Sequence, residues 1–153
     1  MEFDFTAEEL GGLAAAQTEA LLQALLIASG IHREFSAEDS QRFAAAVARL
    51  PLAPGAQALQ AIQKSAVARY NASAPADFVG WLGEIAAQLP EARLREKTLV
   101  AMGHVAWEDM HEAEPGALGT AIDAFALAAD RLALIKEHFP VAAASPSSTV
   151  ASA

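Results

Sequence analysis

Residues 21–50 read LLQALLIASGIHREFSAEDSQRFAAAVARL and contain two apolar helical patterns separated by a polar turn. The leucines of the first pattern recur at helical spacing until Gly30 weakens the helix. Ser36 suits the cap of a second helix, because Glu38 and Asp39 then fall in its first turn, where negative charge meets the positive end of the helix dipole. The core side of this second helix is marked by Phe43, Val47 and Leu50. The stretch therefore predicts a helix, an acidic turn and another helix.

The acidic turn has a counterpart later in the chain. Residues 31–39 read IHREFSAED and residues 108–115 read EDMHEAEP, so each segment gathers carboxylates around one histidine. Each segment also lies between two Ala/Leu-rich helical stretches. This repetition indicates two pseudo-repeated helix-turn-helix units. The acids of such turns either bind a ligand or stabilise helix ends, and the sequence leaves both interpretations open.

Helical periodicity covers most of the remaining sequence. Thr6 and Glu9 have the Ser/Thr-x-x-Glu spacing of a capping box, which starts a helix near Ala7. No stretch alternates strictly enough to predict a strand. The sequence therefore predicts an all-α fold, a single bundle of about six helices joined by short connections. These helices are expected over about 7–30, 37–50, 55–70, 78–89, from 91 to before 115, and 115–138.

Length and composition bound the domain and its surroundings. The chain has 153 residues, and we expect one helical domain over 1–139 followed by a disordered Ala/Ser/Pro-rich tail over 140–153. No apolar run reaches the roughly 20 residues that a membrane span needs, so no membrane insertion is expected. Residues 1–5 read MEFDF, which is acidic where a secretory signal would be basic. These features together predict a cytoplasmic protein.

The charge of the chain limits its partners. The formal net charge is −9, with 19 acids against 10 lysines and arginines. Nucleic-acid binding depends on lysines and arginines that displace counterions from phosphates, so nucleic acid is not an expected partner. An acidic surface instead favours a protein partner with a basic surface, or a cation.

Residues 24–50 resemble the tellurite-resistance TerB-like helical domain. That family has an apolar helix, an Asp-Gly-x-hydrophobic-Ser/Thr-x-x-Glu turn and a second apolar helix. Residues 35–39 (FSAED) match the end of this turn, whereas His32 and Arg33 stand where Asp and Gly would be. The resemblance implies a binding module that recruits a protein partner in a bacterial stress-response or membrane-associated assembly. It also implies an association of the acidic turns with divalent cations, which the loss of the leading Asp weakens.

The two turns contain possible metal ligands. Glu108 and His111 are one helical turn apart, as in di-iron four-helix bundles, but that site needs a second such pair and two further helical glutamates. A single hard cation, Ca²⁺, Mg²⁺ or Mn²⁺, is better matched to a turn rich in carboxylates. In the pattern of the TerB-like family, Asp109 would be the leading acid of the second turn, although Met110 replaces the glycine. The candidate metal ligands are His32, Glu34, Glu38, Asp39, Glu108, Asp109, His111 and Glu112.

Four aromatic residues are candidates for a partner surface. Trp81 and Trp107 either mark such a surface or pack in the core at helical spacing. Phe3 and Phe5 precede the first helix cap, so they either fold back onto the bundle as a hydrophobic staple or contact a second copy in a homodimer.

The sequence thus favours a non-catalytic, acidic, all-α binding module with a protein partner. The alternative is a divalent-cation-binding protein that uses the turns at 31–39 and 108–115, and a third hypothesis is a metal-dependent oxidase. We expect no catalytic residues and either no cofactor or one divalent cation, because the sequence has no cysteine, no Gly-rich phosphate loop and no evident Ser-His-Asp arrangement.

Overall fold

The computed structural model describes residues 3–30, 34–51, 56–107, 110–112 and 116–139. Within these ranges the chain is helical and has no strand, which confirms the all-α prediction. None of the helices in these ranges has the length and apolar character needed to cross a membrane. The predicted tail at 140–153 lies outside the described residues. The helices are α1 (Ala7–Gly11), α2 (Ala15–Ser29), α3 (Ala37–Ala48), α4 (Ala56–Ala72), α5 (Asp77–Gln88), α6 (Ala92–Val105), α7 (Ala117–Phe125) and α8 (Ala129–His138), and a 3-10 turn covers Met110–Glu112.

The eight helices of the described residues differ from the predicted six because two expected helices are divided. The first helix was expected to run from 7 to 30, but its backbone turns at Gly12, whose N–H donates to the carbonyls of Glu8 and Glu9 at 3.1 and 3.2 Å. A new helix then begins after Ala14, whose N–H donates to the side chain of Gln17 at 3.0 Å. The glycine therefore ends one helix, and a side-chain cap starts the next.

The last predicted helix, 115–138, is divided in a different way. Its first part, α7, ends at Phe125, and Ala126 follows with a left-handed backbone at φ 50°. That conformation is costly for an alanine, and no glycine or proline marks it in the sequence. Periodicity alone could not reveal this break, because apolar residues continue on both sides of it.

Helix α2 forms the centre of the bundle. It packs against α3, α4, α5, α6 and α7, and most of its second half is buried. Its alanines allow neighbouring helices to approach closely, while its leucines fill the spaces between them. The apolar pattern that opens residues 21–50 therefore belongs to a helix enclosed on nearly every side.

Helix α6 lies beside α2 and holds buried charges. Glu96 accepts from the guanidinium of Arg131 on α8, with an Nη2–Oε1 distance of 2.8 Å and an Nε–Oε2 distance of 3.1 Å. The ammonium of Lys97 is paired with the carboxylate of Glu9 on α1. Two ion pairs thus attach α1 and α8 to α6.

Candidate functional site

The structure describes only part of the predicted metal-ligand set. His32, Glu108 and Asp109 lie outside the described residues, as does the side chain of Glu112. Glu34 and Glu38 are exposed, Asp39 is buried and His111 is half-buried. Within the described part of the chain, no three side chains of His, Asp or Glu are grouped to hold a metal.

Asp39 takes part in capping α3. Its Oδ2 accepts from the N–H of Ser36 at 3.0 Å, and the hydroxyl of Ser36 accepts from the N–H of Asp39 at 3.1 Å. This reciprocal arrangement is a capping box, and it confirms the prediction that Ser36 caps the second helix of the opening stretch. The Asp39 carboxylate is therefore hydrogen-bonded within the cap of α3.

His111 is attached to the end of α8. Its Nε2 lies 2.8 Å from the carbonyl oxygen of Phe139. The preceding residue, Met110, is buried and lies close to Gly103 of α6. In this conformation one ring nitrogen of His111 is engaged with the backbone, which is a structural role for a turn histidine.

The ends of α2 and α6 meet, and this brings together the points where the two acidic segments begin. The indole N–H of Trp107, just after α6, donates to the carbonyl of Ser29, the last residue of α2, at 2.8 Å. Arg42 on α3 donates from Nε to the carbonyl of Val105 at 3.0 Å and from Nη2 to that of Ala106 at 3.1 Å. Ser29 and Trp107, which lie just before segments 31–33 and 108–109 in the sequence, are therefore neighbours.

We call Glu38, Arg42 and Trp107 the junction surface. The guanidinium carbon of Arg42 lies 4.0 Å from the centre of the Trp107 ring, within the range of a cation–π contact. Glu38 precedes Arg42 by one helical turn on α3, so the two residues share a face of that helix. Trp107 is 40% exposed, which is unusual for so large an apolar side chain.

Sequence reasoning did not identify Arg42 as part of this surface. Its backbone partners, Val105 at the end of α6 and Ala106 just after it, lie 63 and 64 positions later in the chain, so nothing in its local sequence points to them. The only local signal was its position one turn after Glu38, on the polar side of an amphipathic helix.

The other predicted partner residues are buried. Trp81 is 1% exposed, and its indole N–H donates to Gln23 of α2 at 3.0 Å. Of the two alternatives for Trp81, this burial agrees with core packing and not with a partner surface, since the α5 helix directs this side chain toward α2. Phe3 and Phe5 are also buried, near Arg131 and Lys97 respectively, as the fold-back alternative requires. They are not an open surface for a second copy in this conformation.

Histidine titration should make the stability of the fold depend on pH. Desolvation lowers the pKa of His104 from 6.5, and the nearby charges of His138 and Arg49 lower it further, while Asp4 raises it. Because the unfolded chain then binds the proton first, the contribution of His104 to stability should be fully present above about pH 6.5 and should fall as the pH drops from there toward the folded-state pKa.

The melting temperature as a function of pH checks this expectation for His104. Below pH 6.5, the melting temperature of the His104→Gln variant should depend less steeply on pH than that of the unmodified chain. The difference in slope should correspond to less than one proton bound on unfolding. A variant with the slope of the unmodified chain would show that His104 does not cause the pH dependence.

Protein-family models give no match to this chain. Neither curated proteins nor solved structures give a significant match. The resemblance of residues 24–50 to the TerB-like domain therefore stays a prediction, and function has to be inferred from the geometry of the junction surface itself.

Proposed function

We propose that this chain is a non-catalytic binding module that recruits a protein partner through the junction surface. One observation carries the proposal: the 40%-exposed indole of Trp107 is fixed in place by the Ser29 carbonyl and the Arg42 guanidinium. Tryptophan and arginine are the residue types that most often dominate binding energy at protein interfaces. A side chain already held in position also loses little conformational entropy when a partner binds.

Charge indicates the chemistry of the partner. The positive charge of Arg42 is directed to two carbonyl groups and an aromatic ring, while Glu34 and Glu38 are exposed nearby in sequence. The whole chain carries a net charge of −9. We therefore propose that the partner presents a basic segment with an apolar residue to cover the indole. Placement in a bacterial stress-response or membrane-associated assembly follows only from the TerB-like resemblance.

Selection of displayed peptides against the full chain tests this proposal. We expect the selected peptides to be rich in lysine and arginine and to bind less tightly as salt increases. Trp107→Ala should weaken their binding by about tenfold or more, as loss of a central aromatic contact does. Glu38→Gln, which alters one exposed carboxylate, should weaken it less and should reduce the salt dependence.

The matched control is Val79→Ala, which shortens a different exposed apolar side chain, one that lies on α5. This control should leave the affinity unchanged. If the selected peptides bind the Trp107→Ala and Glu38→Gln variants as tightly as the unmodified chain, the junction surface is not the binding site.

The contact between Trp107 and Ser29 also favours one second candidate, a divalent-cation site. These two described residues lie shortly before the acidic turns 31–39 and 108–115 in the sequence, and in this candidate acids of both turns bind one ion. A rise in melting temperature with Ca²⁺, Mg²⁺ or Mn²⁺ that is lost in both Glu38→Ala and Asp109→Ala would favour this candidate over the peptide-binding module.

A further inference from the structure

Helix α8 is attached to the bundle by few buried side chains. It packs chiefly against α6. Of its ten residues, all of which the structure describes, only Ile135 is buried. Leu132 is half-buried and Leu134 is 42% exposed. Burial of apolar surface is the main source of local stability, so we expect α8 to be among the least stable helices of the bundle.

Polar and aromatic side chains make further contacts at the two ends of α8. Near its start, Arg131 forms the ion pair with Glu96, which is buried. At its end, the centre of the His138 ring lies 5.4 Å from that of His104 and 6.0 Å from that of Phe3. Separated charges recover their hydration, so a buried ion pair adds little net stability. The ion pair therefore fixes where α8 lies without holding it strongly.

The connection between α7 and α8 has the properties of a hinge. Ala126 has φ 50° and ψ 48°, the one positive φ among the described residues. This left-handed conformation is unfavourable for an alanine and persists only where the surrounding structure imposes it. Before the hinge, Arg95 of α6 donates to the carbonyls of Phe125 at 2.9 Å and Leu89 at 2.8 Å, which fixes the end of α7. The strain at Ala126 is therefore relieved when α8 moves and α7 stays in place.

The end of α8 also covers the turn Met110–Glu112. The carbonyl oxygen of Phe139 lies 2.8 Å from Nε2 of His111. The side chains of Phe139 and Met110 share the space beside Gly103, where an added Cβ would lie 2.5 Å from Phe139 Cζ and 2.7 Å from Met110 Cε. Met110 is buried. If α8 departs with Phe139, this turn of the second acidic segment loses its cover and its hydrogen-bond partner.

We propose that α8 is a latch that opens from α6 as a unit, with Ala126 as its hinge, and that its opening releases the turn Met110–Glu112. The rest of the bundle stays folded, because α7 packs on α5 and α6 without the help of α8. A helix of ten residues is not stable alone in water, so the open α8 loses its helical hydrogen bonds. The latch controls the second acidic segment whatever the junction surface binds.

Thiol labelling of single-cysteine variants of the full chain tests the proposal, since the chain has no cysteine of its own. Ile135→Cys places a thiol between α8 and the bundle, and Ile85→Cys makes the same change at a buried position of α5. Each labelling rate is corrected for the global stability of its variant, measured by urea denaturation. After this correction, Ile135→Cys should be labelled about 100-fold faster than Ile85→Cys. Equal corrected rates would overturn the proposal, because α8 would then open only when the whole chain unfolds.

Two alanine-to-glycine substitutions test the hinge. Ala126→Gly relieves the left-handed strain of the closed position, so it should slow the labelling of Ile135→Cys by about threefold or more. Ala133→Gly makes the same change at an exposed helical position of α8 and should speed that labelling by about fivefold, because glycine disfavours the helix. Unchanged or faster labelling in Ala126→Gly would show that Ala126 is not the hinge.

Met110→Cys tests the link between α8 and the turn. Arg131→Gln leaves the buried Glu96 carboxylate without its charged partner, so it should speed the labelling of Ile135→Cys and Met110→Cys by a similar factor of about tenfold or more. Arg69→Gln, which breaks an exposed ion pair between α4 and α5, is the matched control and should leave both rates unchanged. Acceleration of Ile135→Cys alone would show that α8 does not hold the turn.

Amide hydrogen exchange of the unmodified chain gives an independent measurement of the opening. The amides of α8 should share one opening free energy, well below that of the buried half of α2, and urea should lower it. Exchange that becomes slower along α8 from one end and does not respond to urea would indicate fraying of single residues. That result, or protection of α8 equal to that of α2, would overturn the opening of α8 as a unit.

Discussion

Replacing Glu9 with alanine should lower the free energy of unfolding by about 3 kcal/mol, because the substitution leaves the ammonium of Lys97 buried without its carboxylate. The Lys97 side chain is 1% exposed, whereas that of Glu9 is 23% exposed. Removal of one partner from a buried ion pair typically costs roughly 3–5 kcal/mol, and partial hydration of Glu9 places this pair at the lower end. Urea denaturation of the full chain measures the effect.

The reverse substitution should behave differently. Lys97→Met removes the buried charge and keeps an unbranched apolar side chain, while the remaining Glu9 carboxylate is reached by water and lies near Arg93 at 3.4 Å. We expect a loss of less than about 1 kcal/mol for Lys97→Met, since well-packed apolar replacements of buried charges are often neutral. The free energy of unfolding of the double variant, Glu9→Ala with Lys97→Met, should be closer to that of Lys97→Met than to that of Glu9→Ala.

Capping must be separated from ion pairing, because Glu9 does both. Its Oε1 also accepts from the N–H of Thr6 at 3.0 Å, and the Thr6 hydroxyl accepts from the N–H of Glu9 at 3.1 Å. Thr6→Ala removes half of this capping box and keeps the ion pair, so it should cost only about 1 kcal/mol. Equal losses in Thr6→Ala and Glu9→Ala would show that the buried ammonium contributes nothing beyond the cap.

In the unmodified chain, acid should remove the stabilisation that the Glu9 carboxylate provides. The hydrogen bond from Lys97 holds the pKa of Glu9 below its ordinary value of 4.5. The stability that Glu9 contributes is therefore present above about pH 4.5 and is lost as the pH falls through the lower folded-state pKa.

Local signals in the sequence predicted the helix starts well. The capping boxes at Thr6 and Ser36 each depend on a residue three positions later, and both are formed in the structure. Because a capping box forms between residues three positions apart, it can be predicted from the local sequence. The pairing of Glu9 with Lys97 crosses 88 positions and could not be predicted in the same way.

The two tryptophans show where sequence reasoning stops in the candidate site. Trp81 and Trp107 both follow helical apolar patterns, yet Trp81 is buried against α2 and Trp107 is half exposed at the meeting of α2 and α6. Burial of a side chain depends on which helices pack together, and periodicity only gives the side of its own helix. The contact of Trp107 with the end of α2 is likewise a result of tertiary packing.

Gly30→Ala should lower the free energy of unfolding by about 2 kcal/mol, because a methyl group there would overlap the ring of Tyr70. An added Cβ would lie 2.4 Å from the Tyr70 hydroxyl oxygen and 2.5 Å from its Cζ. The backbone of Gly30 is ordinary extended structure at φ −83° and ψ 137°, so the glycine is needed for space rather than for conformation. Thermal and urea denaturation measure the loss.

The ring of Tyr70 has little freedom to move away from that methyl group. Its centre lies 5.3 Å from that of Phe35 and 5.2 Å from that of Phe78, and both contacts are edge-to-face. Burial, and then the charge of Asp39, raises the pKa of the Tyr70 hydroxyl. A ring fixed among other rings near a helix cap would have to displace them in order to admit the extra carbon.

Gly83→Ala is the matched control for the Gly30 substitution. Gly83 lies within α5, is exposed, and has no atom within 4 Å of an added Cβ. The same chemical change should therefore stabilise the fold by up to about 1 kcal/mol, since alanine favours a helix over glycine. Opposite signs at the two glycines would isolate the contact with Tyr70, and a neutral or stabilising Gly30→Ala would show that this contact is not rigid.

A second substitution at the contact extends the Gly30 prediction to the candidate site. Tyr70→Leu removes the ring, so adding Gly30→Ala to it should cost much less than Gly30→Ala alone, and the difference measures the coupling. Gly30 follows Ser29, whose carbonyl accepts the indole N–H of Trp107. If the extra carbon moves the end of α2, the tryptophan fluorescence and the affinity of the chain for the selected peptides should change in Gly30→Ala. Both should return toward their original values in the double variant. This result would show that the packing of Gly30 on Tyr70 positions the junction surface as well as stabilising the bundle.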